Sequence, residues 1–145
     1  MMNVKHHGFT LVELLIVIAI IGILLAAGVA SYSLAQMRAR DNRRVSDLKA
    51  VQSAFEQYYV DNNNSYPAKC SDITATATYL PAGFPTDPKS PVMSYDFTDK
   101  HCSATSYCFC ASLEGKQGNG TGWQAGDATA CAYGSGSFYC VGHLQ

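Results

Sequence analysis

The sequence predicts an α+β fold, in which one long N-terminal α-helix packs on a small antiparallel β-sheet head with disulfide-stabilised loops. An uncharged apolar stretch runs from Leu14 to Ala30, and apolar residues then recur at helical spacing towards Asp61. All six cysteines lie between residues 70 and 140, among short β-prone runs, glycines and prolines. The chain has 145 residues, enough for one compact domain, and its net charge of −1 does not indicate a nucleic-acid-binding protein.

The apolar segment of residues 9–30 has the length of a membrane span. At 1.5 Å per residue it would reach about 33 Å as a helix, close to a hydrocarbon core of roughly 30 Å. An ordinary secretory signal peptide is an alternative, since Lys5 precedes the stretch and small residues end it. That alternative predicts a secreted disulfide-rich binding domain released near Ala30. The stretch is long for a signal peptide and a helix-compatible sequence follows it directly, which favours an anchor.

Glu13 is the one charged residue in this apolar segment. An ionised carboxylate in lipid costs several kcal/mol unless a cation meets it. A cut before Phe9 would create an α-amino group four residues away, on the same chain or on a neighbour. A glutamate that reaches the headgroups, or that is protonated, is the alternative.

The stretch GFTLVELLIVIAIIGILLA, residues 8–26, resembles the class III signal of type IV pilins and type II secretion pseudopilins. The resemblance implies that prepilin peptidase cuts between Gly8 and Phe9 and methylates the new N-terminus at Phe9. It also implies that Glu13 neutralises the terminal amine of an adjoining subunit during assembly. Many members carry a proline where this chain has Ala30, so unwinding of the helix around Gly22 to Ala30 stays an open question.

The same resemblance implies the organisation and role of the chain. Its expected regions are a leader peptide at 1–8, a transmembrane or filament-core helix at 9–30, an amphipathic continuation at 31–64 and a disulfide-rich globular head at 65–145. The implied function is that of a structural subunit, not an enzyme, which polymerises through its helix for adhesion, twitching motility or DNA uptake. A pseudopilin or minor pilin that primes a periplasmic fibre is the alternative.

The implied partners are copies of the chain in a helical filament, prepilin peptidase, the inner-membrane assembly platform and, before assembly, the membrane. Binding of nucleic acid stays open. The precursor is expected as a single-pass protein of the inner membrane with its head outside the cytoplasm, and the assembled subunit in an extracellular pilus. Six cysteines in a small region also indicate an oxidising compartment.

Beyond Ala30 the predicted helix is amphipathic and ends near residues 61–64, where asparagines precede Pro67. Its apolar face is expected at Val45, Leu48, Val51, Phe55 and Tyr58 or Tyr59. The opposite, solvated face is expected to carry Arg43, Arg44, Asp47, Lys49 and Gln52. The basic residues from Arg38 to Arg44 are interpreted as a solvated band that pairs with acids of neighbouring subunits, in preference to a phosphate-contacting patch. The stretch from Arg43 to Pro67 again resembles the family.

In the head, strands are predicted at Val92–Phe97, Tyr107–Leu113 and Ser137–Val141. Residues 81–91 are expected to form a rigid connection, and residues 115–127 an exposed glycine-rich loop or hairpin tip. The cysteines are expected in disulfides, but six thiols allow fifteen pairings and the sequence does not choose among them. They are Cys70, Cys102, Cys108, Cys110, Cys131 and Cys140.

No cofactor, metal or catalytic residue is predicted. His101 with Cys102, Cys108 and Cys110 lacks the paired spacing of a zinc site. Oxygen ligands for calcium could come from Asp87, Asp96, Asp99 and Asp127, but turn-forming aspartates explain them without a metal. No arrangement of Ser, His and Asp, or of Cys and His, recommends an enzyme.

Overall fold

The structure is a computed structural model, and it describes residues 8–75 and 78–144. The long helix α1 comprises Leu11–Asp61, and a single turn, α2, comprises Asp72–Ala75. A 3-10 turn at Asp99–His101 precedes four strands, β1 Cys108–Ser112, β2 Gly118–Gln124, β3 Asp127–Gly136 and β4 Phe138–Gly142. The long helix and the antiparallel sheet confirm the predicted α+β class.

The chain divides into two compact units, an N-terminal unit at Met1–Gln36 and a C-terminal unit at Met37–Gln145. In the N-terminal unit the backbone is helical from Leu11 onward, without a break between Gly22 and Ala30. Alanine at position 30 keeps the backbone N–H that a proline would remove, so the helical hydrogen bonding continues there. The predicted leader, residues 1–8, lies outside the described residues except for Gly8.

The helical part of the C-terminal unit buries the face that the sequence predicts. Leu48, Val51 and Phe55 are fully buried, and α1 ends at Asp61. Asn63 and Asn64 then adopt left-handed backbone conformations, with φ of 53° and 57°, which asparagine tolerates better than most residues. The predicted amphipathic helix and its asparagine-rich end are confirmed.

The four strands form one antiparallel sheet in the order β1-β4-β2-β3. Side chains alternate along β1, so that Phe109 and Ala111 belong to the core against α1 while Cys108 and Cys110 belong to a second core on the other face. Trp123 and Phe138 pack against that second core. The unit is therefore built on an aromatic and aliphatic core on one side and a disulfide core on the other.

The structure joins the six cysteines in three disulfides, Cys70–Cys102, Cys108–Cys131 and Cys110–Cys140. Cys110 and Cys140 are register partners on adjacent strands. Cys108 and Cys131, by contrast, join β1 to β3, the two edge strands of the sheet. This bridge covalently links the two open edges of the sheet, which are its weak points.

Glu56 on α1 connects the helix to the sheet through buried tyrosines. Its carboxylate accepts hydrogen bonds from the hydroxyls of Tyr107, at 2.8 Å, and Tyr66, at 3.0 Å, and from the backbone N–H of Leu144, at 3.3 Å. Burial, together with the hydrogen bond to Glu56, raises the pKa of Tyr66 to about 12. Both hydroxyls therefore stay protonated at neutral pH and act as donors.

One prediction about the sheet is wrong, and a second is correct only in part. Val92–Phe97 is not a strand, because its aromatic side chains pack singly into the core. The ring of Phe97 stacks on Phe84 at 4.5 Å, and the Tyr95 hydroxyl donates to Asp47. Residues 115–127 are not an exposed loop throughout, since β2 occupies Gly118–Gln124, but they do contain the hairpin turn that leads into β3. At Gly118 an added Cβ would overlap the carbonyl oxygen of Phe138, so this glycine serves close strand packing.

Strand β3 was not predicted at all, because alanines, glycines and serines make it a poor strand former in isolation. It is held by its pairing with β2 and by the Cys108–Cys131 bridge.

Candidate functional site

The residues around the predicted cleavage point form the start of α1. Thr10 lies just before the helix, and its backbone N–H and hydroxyl both donate to Glu13 Oε2 at 2.9 Å. In return, the backbone N–H of Glu13 donates to the Thr10 hydroxyl at 3.2 Å. This reciprocal arrangement is a capping box, which satisfies helical N–H groups that have no partner within the helix. Glu13 thus caps the start of the helix and also places a negative charge there.

The second carboxylate oxygen of Glu13, Oε1, has no hydrogen-bond partner among the described residues. Phe9, one residue before the cap, is 89% exposed. A carboxylate in the first turn of a helix also lies at the positive end of the helix dipole. The site therefore presents one uncommitted anionic oxygen close to the position where cleavage would create an amine.

The apolar side chains that follow are exposed in the single chain. Of those described, Leu11, Ile16 and Leu24 are 87%, 52% and 66% exposed. The most apolar part of this helix is not buried, and α1 is long and apolar enough to cross a membrane. An apolar surface of this extent calls for lipid or other chains to cover it.

A second feature lies in the C-terminal unit, where six charged residues form what we call the ionic cluster. Its centre is Arg44, which is fully buried. Arg44 donates to both carboxylate oxygens of Asp87, at 2.7 and 3.1 Å, and to Asp41 and Glu114, at 2.9 and 2.8 Å. The cluster consists of Arg40, Asp41, Arg44, Asp87, Lys89 and Glu114.

The remaining contacts of the ionic cluster pair its other charged groups. Arg40 holds both oxygens of Glu114 at 2.8 Å, and Lys89 Nζ lies 3.0 Å from Glu114 Oε2. Asp41, also fully buried, accepts the backbone N–H groups of Glu114, Gly115 and Lys116 at 2.9 to 3.2 Å. Three cations and three carboxylates balance, as a buried ionic group requires.

The ionic cluster corrects two predictions. Arg44 is not on a solvated face, and Arg40 and Arg44 pair with acids of their own chain. Asp87, named as a calcium candidate, is the partner of Arg44. Arg44 and Asp87 are 43 positions apart in the chain, so only the fold brings them together.

The pKa values of the three acids are lowered in the folded chain. Hydrogen bonds from Arg40, with those from Lys89 and Arg44, hold the pKa of Glu114 well below its usual range. Burial would raise the pKa of Asp41 and of Asp87, but hydrogen bonds from backbone N–H groups and from Arg44 outweigh it.

Because these pKa values are lowered on folding, their contribution to stability is complete above the ordinary carboxyl pKa near about 4 and is lost as the pH falls below it. We expect the melting temperature, followed by the fluorescence of the single tryptophan, Trp123, to be nearly constant between about pH 5 and 7 and to fall below about pH 4. Glu114→Gln should make this fall shallower. An unchanged slope in that variant would contradict the assignment.

The other predicted residues lie apart from both features. Asp96 binds Thr98 and Lys100 and lies 3.0 Å from His101 Nε2, while Asp99 accepts from Ser71. Asp127 accepts from Thr129. The Sγ atoms of Cys108, Cys110 and Cys131 lie within 4.8 Å of one another, but all three are in disulfides, so they offer no thiolate to a metal.

The sequence predicts Gly8, Phe9 and Glu13 as site residues, and these roles stay predictions, but two kinds of partner were not predicted. Thr10 could have been found, because Thr-x-x-Glu before an apolar run is the spacing of a capping box. Asp41 and Glu114 carry no comparable local signal.

The sequence of the chain is similar to those of several known proteins. Residues 3–29 match the family described as the prokaryotic N-terminal methylation motif. The chain is 38% identical over 125 residues to the type IV wide pilus major component PilA4 of Thermus thermophilus, a match that covers 86% of this chain and 82% of that protein. No solved structure matches the chain.

Shorter matches connect it to two further kinds of protein. It is 38% identical over 63 residues to the type II secretion system core protein G of Escherichia coli, covering 43% of each chain. It is 39% identical over 66 residues to the type IV major pilin protein PilE1 of Neisseria gonorrhoeae, covering 46% of this chain and 39% of that one. These two matches span less than half of each relative. With a capped apolar helix, a methylation motif and a disulfide-bonded sheet, the chain belongs to the family of type IV pilins and type II secretion pseudopilins, and it is a pilin-like structural subunit.

Proposed function

We propose that this chain is a subunit of an extracellular type IV pilus, made as a single-pass inner-membrane precursor. Prepilin peptidase cuts between Gly8 and Phe9, and the new N-terminus is methylated at Phe9. On the inner-membrane assembly platform, copies of the mature chain then polymerise through their apolar helices. The uncommitted oxygen of Glu13 pairs with the terminal amine of a neighbouring copy as the subunit leaves the membrane.

The observation that carries this proposal is the exposed apolar start of α1 with a single acid in its first turn. A filament core excludes water much as lipid does, so an unpaired carboxylate there is costly and an amine partner is favoured. One Glu13 oxygen already accepts from Thr10, which holds the side chain in place, and the other is available. The carboxylate of Glu13 is therefore already oriented before an amine binds to it.

The similarity to PilA4 favours a pilus over a secretion pseudopilin, because it extends over most of both chains, whereas the similarity to protein G covers 43% of each. The pseudopilin function remains the second candidate on the strength of that match. Surface filaments seen by electron microscopy, and lost when the gene is deleted, decide for the pilus. A deletion strain that keeps its filaments and loses protein secretion decides for the pseudopilin.

Glu13→Ala is expected to leave cleavage intact and to reduce filament yield at least about tenfold, which corresponds to a lost pairing of about 1.4 kcal/mol. Filaments are counted by electron microscopy and sheared-fraction immunoblots. Thr10→Ala is the matched control, since it removes the cap but keeps the charge, and it should retain most of the filaments.

Normal polymerisation of Glu13→Ala would contradict the assembly role. If Thr10→Ala loses as much as Glu13→Ala, the glutamate acts as a cap and not as a charge. Mass spectrometry of the purified chain tests the processing step independently: the proposal expects an N-terminus at Phe9 with one added methyl group. A chain that begins near Ser31 would support the secreted-domain alternative.

A further inference from the structure

Two positively charged residues that do not belong to the ionic cluster lie next to it in the sequence. Arg38 and Lys116 are both exposed, and no acid among the described residues lies within ion-pair distance of either. The two side chains share one cavity of about 250 Å³, lined by Arg38, Asn42, Gly115 and Lys116. The neighbouring acids, Asp41 and Glu114, are already neutralised by the cluster. The cavity is therefore lined by two cations and an amide, and no carboxylate lines it.

The loop that forms one wall is fixed in place. Asp41 accepts three consecutive backbone N–H groups, from Glu114 to Lys116, and holds them against the helix. Gly115 comes so close to the helix that an added Cβ would overlap Met37 Sδ. The backbone of Lys116 is thus held by Asp41, and its position does not depend on the Lys116 side chain.

We propose that this cavity binds the phosphate group of an anionic phospholipid while the subunit is held in the membrane. An arginine and a lysine that line one cavity with an asparagine suit a tetrahedral anion, since guanidinium and ammonium groups both donate charge-assisted hydrogen bonds to phosphate. The volume admits a phosphodiester with its glycerol. The proposal rests on the membrane-anchored precursor stage of the proposed function.

The position of the cavity residues in the sequence favours a lipid over a soluble anion. Arg38 follows Ala30, the last residue of the apolar segment, by only eight positions. Side chains on a helix point back towards its N-terminus, and a long cationic side chain reaches further towards the headgroups. Basic residues close to a membrane span attract anionic lipids. In this chain, the cavity beside these basic residues could hold one lipid headgroup.

The test uses the full chain in lipid nanodiscs, made of phosphatidylcholine alone or with a quarter of the lipid as phosphatidylglycerol. Since ligand that binds only the folded state stabilises it, the melting temperature of the wild type, read by Trp123 fluorescence, should rise by about 2–5 °C with phosphatidylglycerol. Arg38→Gln and Lys116→Gln should each lose most of this rise. Arg43→Gln is the matched control, because Arg43 is exposed and does not line the cavity.

Arg43→Gln should keep the rise in full. The proposal is overturned if phosphatidylglycerol gives no rise, or if Arg38→Gln and Arg43→Gln lower it equally, which would indicate general surface charge. It is also overturned if inorganic phosphate stabilises the chain in pure phosphatidylcholine while phosphatidylglycerol does not, which would assign the cavity to a soluble anion. Insertion into the nanodiscs is scored separately, so a failed lipid effect leaves the membrane anchor untouched, whereas a chain that does not insert contradicts the proposed function itself.

Discussion

Arg44→Ala is expected to destabilise the C-terminal unit by about 3–5 kcal/mol, the usual cost of removing one partner from a buried ionic group. The substitution leaves two buried carboxylates, Asp41 and Asp87, without their main cation. The free-energy cost of these unpaired charges exceeds the gain from no longer burying the charge of Arg44. For a unit of this size, such a loss lowers the melting temperature by at least about 10 °C. Thermal unfolding of the full chain in detergent, followed by Trp123 fluorescence, measures it.

Arg43→Ala provides the comparison, since the two arginines are adjacent in the sequence but only Arg44 is buried and held by close ion pairs. The Arg43 side chain is 65% exposed and its nearest acid, Asp47, lies 3.9 Å away. Exposed pairs of this kind contribute about 0–1 kcal/mol, so this variant should melt within a few degrees of the wild type. Similar losses for the two variants would show that Arg44 is not the centre of a buried network.

Removing the Cys108–Cys131 disulfide is the second change with a large expected effect. The double variant Cys108→Ala/Cys131→Ala should lose about 2–5 kcal/mol of stability, as native disulfides in small exported domains do. In addition, this bridge joins the two edge strands, which are not hydrogen-bonded neighbours. Its loss should therefore let β3 separate from β1, and the amides of β3 should exchange with solvent faster.

The variant Cys110→Ala/Cys140→Ala separates the two effects. This bridge closes a loop of similar length, with a sequence separation of 30 against 23, so its effect on global stability should be comparable. However, β1 and β4 remain paired over five register positions without it, and exchange in β3 should change little. Equal exchange of β3 amides in both variants, measured by mass spectrometry at one pH, would show that the edge bridge has no special role in closing the sheet.

The sequence was most informative where structure depends on near neighbours. The recurrence of apolar residues at steps of three and four predicted the buried positions Leu48, Val51 and Phe55, and the asparagines predicted the end of the helix. Two strands, β1 and β4, were predicted because they are rich in residues that fit a half-buried pleated surface. Strand β3 was missed because it lacks such residues, and Val92–Phe97 was overpredicted because its aromatic residues serve the core without joining a sheet.

The candidate site divides in the same way. Gly8, Phe9 and Glu13 could be named from a contiguous motif, and Thr10 lay within reach of the capping-box spacing. Arg44 could not be identified as a buried residue from the sequence. An arginine in an otherwise solvated stretch is expected to be exposed unless acids from elsewhere in the chain pair with it. Two of these acids, Asp87 and Glu114, lie 43 and 70 positions from Arg44 in the sequence.

The sequence by itself determined the long helix, its apolar first part, the motif at its start and the presence of a cysteine-rich region suited to disulfides, because composition and short-range periodicity encode all of these. Only the tertiary structure decided which cysteines pair, that Arg44 is buried within the ionic cluster and that Arg38 and Lys116 share a cavity. Each of these depends on contacts between distant residues, whose energies are fixed only when the strands, loops and helix have met.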